Sequence, residues 1–307
     1  MKYSREDLAY IKNGRAEQRK TSASMAGKLC VVTGATSGVG LAAARRLAAG
    51  GANLVLVARS REKAEAVKAE LEAAYPVAVH LVIADFSRLA DVRKAAAEIL
   101  AGYPAVDVLI NAAGLHCTRR RLTEDGNELV FQVNHLASFL LTMLLLPNIK
   151  KSPQGRILQV NSQGHRFGGL NLNDLDWAKR HYFGLRAYGA SKTAQIMTVW
   201  TLAELLRDTA VTINAMHPGA VRTAIGQNNG QLYRAWQRVA VRPFLKNPAI
   251  SGEALHFLAA APELTKTTGR FFNLTIDEKP MPHALDSAVR DKVWALSLSM
   301  TGLPQAF

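Results

Sequence analysis

A chain of 307 residues with 49% hydrophobic content is long enough for one large α/β domain or two small ones. Its 38 Lys and Arg against 24 Asp and Glu leave a net charge of +14, an excess that a phosphorylated ligand, an acidic membrane or nucleic acid would each explain. Two cysteines, Cys30 and Cys117, make neither a disulfide framework nor a CxxC pair, which argues for a reducing compartment and against a small stapled secreted fold.

The opening segment, MKYSREDLAYIKNGRAEQRK, is too charged for a signal peptide or membrane anchor, and residues 1–26 read as an arm on a single domain covering 27–307. From Lys28 the chain alternates strand-like and helix-like stretches. KLCVVTG precedes an Ala-rich helix from Leu41 to Ala49, and NLVLVA precedes a helix from Arg61 to Ala74. VAVHLVIAD precedes a helix from Leu89 to Leu100, and VDVLINAAG leads to a helix through FQVNHLASFLLTMLLL. GRILQVNS is followed by a long helix from Tyr188 to Arg207, then VTINAMHPG, and GRFFNLT lies in the tail before a last helix. Continuous Val/Ile/Leu strands between helices imply a sheet buried on both faces. The expected fold class is α/β: a doubly wound Rossmann fold with a parallel sheet of about seven strands in the order 3-2-1-4-5-6-7, its ligands at the carboxyl ends of the strands. The longest apolar run, Leu136 to Pro147, contains Ser138 and Thr142 and falls short of the about 20 residues of a spanning helix. A soluble, cytoplasmic protein is expected.

TGATSGVG, Thr33 to Gly40, follows a strand and opens a helix. Missing side chains at Gly34, Gly38 and Gly40 let backbone N–H groups approach a pyrophosphate at a helix N-terminus. The spacing is TGxxxGxG rather than GxGxxG. In the NAD form of this architecture a carboxylate about 20 residues on grips the ribose hydroxyls. Here Ala58 ends the second strand and Arg59 follows, a guanidinium suited to charge-assisted contacts with a phosphate. YGASK puts Tyr188 and Lys192 on one helix face at i and i+4, where an ammonium is expected to lower the phenol pKa towards general acid–base use. Ser162 ends the strand before it, Asn134 lies on the preceding helix, and Asn111 and Gly114 end another strand. Pro218, Gly219 and Thr223 follow the sixth strand.

In this order, the motifs resemble those of the short-chain dehydrogenase/reductase family over about residues 27–275. The spacing from Ser162 to Tyr188, 188 − 162 = 26 residues, and the phrase VNHLASFLLT look most like its retinol-dehydrogenase-like branch, which takes in protochlorophyllide reductase relatives. The resemblance implies a coenzyme loop of Thr33, Gly34, Thr36, Ser37, Gly38, Val39 and Gly40, with Asp85 and Phe86 at the adenine. Asn111 to Gly114 match the NNAG element, with Ala112 replacing its second Asn, and Val221 and Thr223, with Pro218 and Gly219, match the nicotinamide carboxamide site. Asn134, Ser162, Tyr188 and Lys192 match the catalytic tetrad, in which Lys192 also holds the nicotinamide ribose and Asn134 positions a water linking Lys192 to solvent. The implied cofactor is NADP(H). The implied reaction is hydride transfer to the carbonyl of an apolar or aromatic aldehyde or ketone, or the reverse alcohol oxidation. Reduction of a carbon–carbon double bond and a non-catalytic NADP-binding sensor remain as alternatives.

His116, Gln163, His165, Tyr182 and Trp236 are the expected substrate contacts. A substrate lid is expected over 224–248, where Arg234, Arg238 and Arg242 recur at i, i+4 and i+8, a pattern that fits an acidic substrate, weak contact with a membrane surface, or an ordinary surface helix. No zinc-finger or RNP1 pattern accompanies the basic clusters, so no sequence-specific nucleic-acid partner is expected. No histidine pair has zinc-ligand spacing, and no metal is expected. The helix around Phe139 to Leu146 and the helix from Tyr188 match the pair that forms homodimer interfaces in many relatives, although burial within one chain explains the same residues.

Overall fold

The apolar runs pair edge to edge in a computed structural model that describes residues 9–223, 225–226, 229–230 and 245–305. The strands are β1 (Leu29–Thr33), β2 (Asn53–Ala58), β3 (Val79–Ile83), β4 (Val108–Asn111), β5 (Arg156–Val160), β6 (Thr212–His217), β7 (Phe271–Asn273) and β8 (Ile276–Asp277). They form one sheet in the order β3-β2-β1-β4-β5-β6-β7-β8, with β1 to β7 parallel. Eight strands therefore replace the expected seven or so. The extra one arises because Leu274 adopts a left-handed φ of 57° and turns the chain back, so that Phe272 and Asn273 pair antiparallel with Asp277 and Ile276.

Successive strand side chains point to opposite faces, and the helices divide accordingly. Cys30, Val32, Leu54, Leu56, Ile110 and Leu158 pack with α2 (Gly38–Ala49), α3 (Arg61–Ala74) and α7 (Ala249–Ala260). Val31, Val55, Leu109, Ile157 and Ile213 pack with α4 (Leu89–Gly102), α5 (Leu129–Ile149), α6 (Gly184–Leu205) and α8 (Ser287–Thr301). Arg156 sits buried at the start of β5 and donates from Nη1 to the Leu258 carbonyl (3.0 Å) and from Nη2 to the Ala261 carbonyl (2.9 Å), holding a cation on the C-terminus of α7.

The apolar run of α5 continues an N-terminal turn from Leu129, giving a helix of 21 residues. That is long and apolar enough to cross a bilayer, but 89% of its most apolar window is buried inside the fold. Part of that cover comes from α8. Asp286 caps α8 by accepting from the Val289 N–H (3.0 Å), and Gly302 ends it in a left-handed conformation, φ 62°. Trp294 meets Phe139 edge to face at 5.2 Å, Ser297 Oγ bonds His135 Nε2 at 2.7 Å, and Arg290 pairs with Glu204 of α6 at 2.7 Å. The burial of Phe139 that a second copy would supply is thus supplied by the same chain.

Ahead of β1, the segment with α1 (Ala9–Asn13) lies along the β7–β8 edge. Asn13 donates to Glu278 (2.9 Å), Gln18 Oε1 accepts from the Thr275 hydroxyl (2.8 Å), and the Tyr10 ring lies 4.4 Å from the Arg166 guanidinium.

Because Leu298 anchors α8 on this core at 1% exposure, Leu298→Ala should cost about 3 kcal/mol. A fall in the urea midpoint at unchanged slope is the expected readout.

Candidate active site

The site gathers at the carboxyl ends of β1, β4, β5 and β6. Gly34 turns at φ 66°, and a Cβ there would stand 2.9 Å from the Ala113 Cα; a Cβ at Gly40 would stand 2.8 Å from the Gly34 carbonyl carbon. Thr33 Oγ1 accepts from the N–H groups of Ala112 and Ala113, both at 3.0 Å, and so ties this loop to the end of β4. Ser37 begins α2 without a side-chain cap, which leaves the first-turn N–H groups of Gly38, Val39 and Gly40 to an anion. Thr36 is half-buried beside them. Gly38, at φ 56°, faces Thr223, whose Cβ a glycine Cβ would meet at 3.3 Å. The loop from β6 reaches that point through Pro218, whose carbonyl accepts from Ser251 Oγ (2.6 Å), through Gly219 at φ 81°, and through Val221, bridged to Lys246.

Asn111 donates to Thr142 Oγ1 (2.8 Å), while its Oδ1 is buried with no hydrogen-bond partner among the described residues. Asp85 Oδ1 accepts from the N–H (2.9 Å) and hydroxyl (2.8 Å) of Ser87, fixing the turn after β3. Phe86 enters the core rather than the groove. Arg59 stands exposed one residue beyond β2, whose Val57 carbonyl accepts from the Gly34 N–H at 2.9 Å. A groove of bare backbone, a helix N-terminus, an orphaned buried acceptor and an exposed guanidinium fit a phosphorylated dinucleotide.

Ser162 leaves β5 in an extended conformation; its Oγ accepts from the Gly164 N–H (2.9 Å) and lies close enough to Tyr188 to lower the phenol pKa. Gly164 makes room for this pair, since a Cβ there would lie 2.5 Å from the Tyr188 ring. The His116 ring meets Tyr188 edge-on at 6.0 Å, and burial lowers its pKa, leaving it a neutral wall. Lys192 Nζ donates to the Val160 carbonyl (3.0 Å) and Gln195 Oε1 (2.8 Å), and it lies 5.7 Å from the Tyr188 ring centroid.

Burial pushes the phenol up to about 12, only partly offset by Ser162, and pulls Lys192 down to about 7. The expected lowering of Tyr188 by Lys192 is therefore not found. The ammonium is drawn to interior carbonyls, and desolvation of the phenolate dominates.

Asn134 is buried in a π-helical turn, Gln132–Leu136. Its side chain accepts from the Leu115 N–H (2.8 Å) and donates to the Leu115 carbonyl (3.0 Å), pinning the loop that follows Gly114. A Cβ on Gly114 would approach Asn134 Oδ1 to 3.2 Å.

Three expected substrate contacts are turned elsewhere. His165 has no exposed surface, and its ring nitrogens are held by the Ser162 carbonyl (2.8 Å) and the Met281 N–H (3.2 Å). Gln163 donates to Glu278 (2.5 Å) and accepts from Arg166 (2.6 Å), facing the β8 edge. The Tyr182 hydroxyl donates to Glu128 (3.1 Å), the buried carboxylate that caps α5. Trp236, Arg234, Arg238, Arg242 and most of the expected 224–248 lid lie outside the described residues. Two polar residues not anticipated lie within the site: Gln195, one helical turn beyond Lys192, and Asn161, whose Oδ1 accepts from the Ser162 N–H (2.8 Å). The i, i+3 spacing from Lys192 was the available signal for Gln195.

Comparison with known proteins agrees with this geometry. The family profile of short chain dehydrogenases matches residues 28–233. Human retinol dehydrogenase 13 is 35% identical over 302 residues, covering 96% of this chain and 89% of its own. A Streptomyces protein assigned as a daunorubicin C-13 ketoreductase is 36% identical over 279 residues, covering 90% of this chain and 93% of its own. Among solved structures, a short chain dehydrogenase from Burkholderia cenocepacia in complex with NADP superposes with a TM-score of 0.65 at 26% identity, covering 82% of this chain and 97% of that one. The chain belongs to the short-chain dehydrogenase/reductase family, in its retinol-dehydrogenase-like branch.

Proposed function

We propose that the protein is an NADPH-dependent reductase of an apolar or aromatic aldehyde or ketone. The observation that carries this reading is the Ser162–Tyr188 pair, brought together around Gly164 and set beside a glycine-lined groove. NADPH, when bound, supplies the hydride. The Ser162 hydroxyl holds the carbonyl oxygen, and Tyr188 donates its proton to that oxygen as negative charge develops there. A phenol raised to about 12 stays protonated at neutral pH, and an alkoxide is a stronger base than a phenolate, so the transfer runs from Tyr188 to substrate. Lys192 sets a positive charge near the phenol as the phenolate forms. Gly34, Gly38, Gly40 and the α2 N-terminus would hold the pyrophosphate, Asp85 the adenine side, and Val221 and Thr223 the carboxamide.

The preference for the phosphorylated cofactor rests on Ala58, where no carboxylate repels a 2′-phosphate, and on exposed Arg59. The NADP-bound relative from Burkholderia supports the same preference. An extended apolar substrate is supported by the relatives named for retinol and for daunorubicin.

An NADPH-oxidation screen over aromatic aldehydes, ketones, quinones and retinal should find turnover, and Tyr188→Phe should lower kcat at least about 100-fold with its best substrate. Wild-type turnover in that variant would reject Tyr188 as the donor. Arg59→Ala should raise the Kd for NADPH about tenfold or more and leave that for NADH nearly unchanged; equal losses would reject the phosphate contact. Gly164→Ala, which forces a methyl against the Tyr188 ring, should lower kcat far more than it lowers the melting temperature.

A further inference from the structure

Gln195 follows Lys192 by one turn of α6 and is 1% exposed. Its Oε1 accepts from Lys192 Nζ at 2.8 Å and from Asn161 Nδ2 at 3.2 Å, while its Nε2 donates to the main-chain carbonyl of Asn134. A carbonyl oxygen only accepts, so the amide nitrogen must face Asn134 and the amide oxygen must face the ammonium. The Asn134 carbonyl lies in the π-helical turn of α5 and also accepts from Ser138 Oγ (2.9 Å).

We infer that Gln195 is the positioning residue that keeps Lys192 in its charged form, and that its side chain occupies the link between Asn134 and Lys192 where the family resemblance places a water. The catalytic meaning of this assignment rests on the reductase reading; the assignment of the charge does not. An ammonium has three N–H donors. Val160 and Gln195 take two of them, in fixed directions, and leave one for a ligand. A water at the Asn134 end would also pass a proton on, whereas a carboxamide does not. Gln195 thus positions Lys192 without extending a proton path to the Asn134 carbonyl.

In the intact site burial draws Lys192 down to about 7, so losing or strengthening one acceptor shifts its charge at neutral pH. Two other titratable groups face it. Tyr188, on the same helix, lies 5.7 Å away by its ring centroid and is raised to about 12. His135, from α5, is lowered to about 3 by burial and then by the lysine's own charge. β5 contributes only the Val160 carbonyl. Neither neighbour titrates near neutrality, so a midpoint in that range belongs to Lys192.

The test is a lysine side-chain NMR titration of the full chain, without cofactor, in the wild type, Gln195→Met and Gln195→Glu. Methionine fills the space and removes the acceptor; a carboxylate turned to Lys192 adds a counter-charge. Relative to a wild-type midpoint near 7, the Met variant should titrate about one pH unit lower and the Glu variant about one higher. The alkaline limb of the kcat profile should move in the same two directions. Midpoints that coincide in all three proteins, with melting temperatures reporting intact folds, would overturn the assignment. Because the titration needs no turnover, failure of the reductase reading is seen separately, as a wild type that consumes NADPH with no carbonyl.

Discussion

A cation buried without a carboxylate is the constraint around which this site is built. Lys192 is 3% exposed, and no ion pair with it occurs among the described residues; its ammonium is met by carbonyl oxygens instead. Burying a charge is costly unless it is hydrogen-bonded, and each acceptor is fixed by a different part of the fold. Val160 ends the central strand β5, Gln195 comes from the same helix as the lysine, and the Gln195 amide is in turn oriented by Asn134 in the π-helical turn of α5. π turns interrupt the regular helical ladder and cluster at functional sites. Here the turn leaves the Asn134 carbonyl accepting from side chains, and it places the Asn134 amide on the loop after Gly114.

The sheet makes that convergence possible. With both faces covered by helices, every strand end on the carboxyl side opens towards the same edge. β1 brings the glycine loop, β4 brings Asn111, β5 brings Ser162 and β6 brings the turn that carries Thr223 over Gly38. Thr33 joins two of these ends directly, one hydroxyl accepting from two backbone N–H groups across the β1–β4 junction. A shift in one strand would therefore misplace both the glycine loop and the Ser162–Tyr188 pair.

Strand order was legible, and Tyr188 and Lys192 could be put on one helix face beyond a glycine loop, because these rest on local signals: unbroken Val/Ile/Leu runs, a glycine loop between strand and helix, and Tyr and Lys at i and i+4. What was missed depends on partners far away in the chain. β8 has two residues and exists because Leu274 turns left-handed, which no periodicity announces. An apolar α5 reads the same whether a second copy, a membrane or α8 covers it; Trp294 and Ser297 supply the answer from about 150 residues away. His165 and Gln163 are expected near substrate, yet their polar atoms are claimed by the Met281 backbone and by Glu278. The lysine's effect on the tyrosine failed for a related reason: helical spacing sets which side chains share a face, not how far desolvation outweighs a charge at 5.7 Å.

That outweighing bears on the direction of the chemistry. A phenol near 12 is a poor base at neutral pH, ill suited to take a proton from an alcohol, and a ready donor to an oxygen that gains charge. The nearby Ser162 hydroxyl acts in the opposite sense, but it lowers the phenol only in part and so moderates the donor without converting it to phenolate. Oxidation would need the phenolate populated before substrate reacts, and in this pocket the charge to populate it must come from Lys192, whose own ammonium is already weakened by burial. Both shifts have the same cause, removal of water from around two adjacent groups, and both favour the state in which Tyr188 holds its proton.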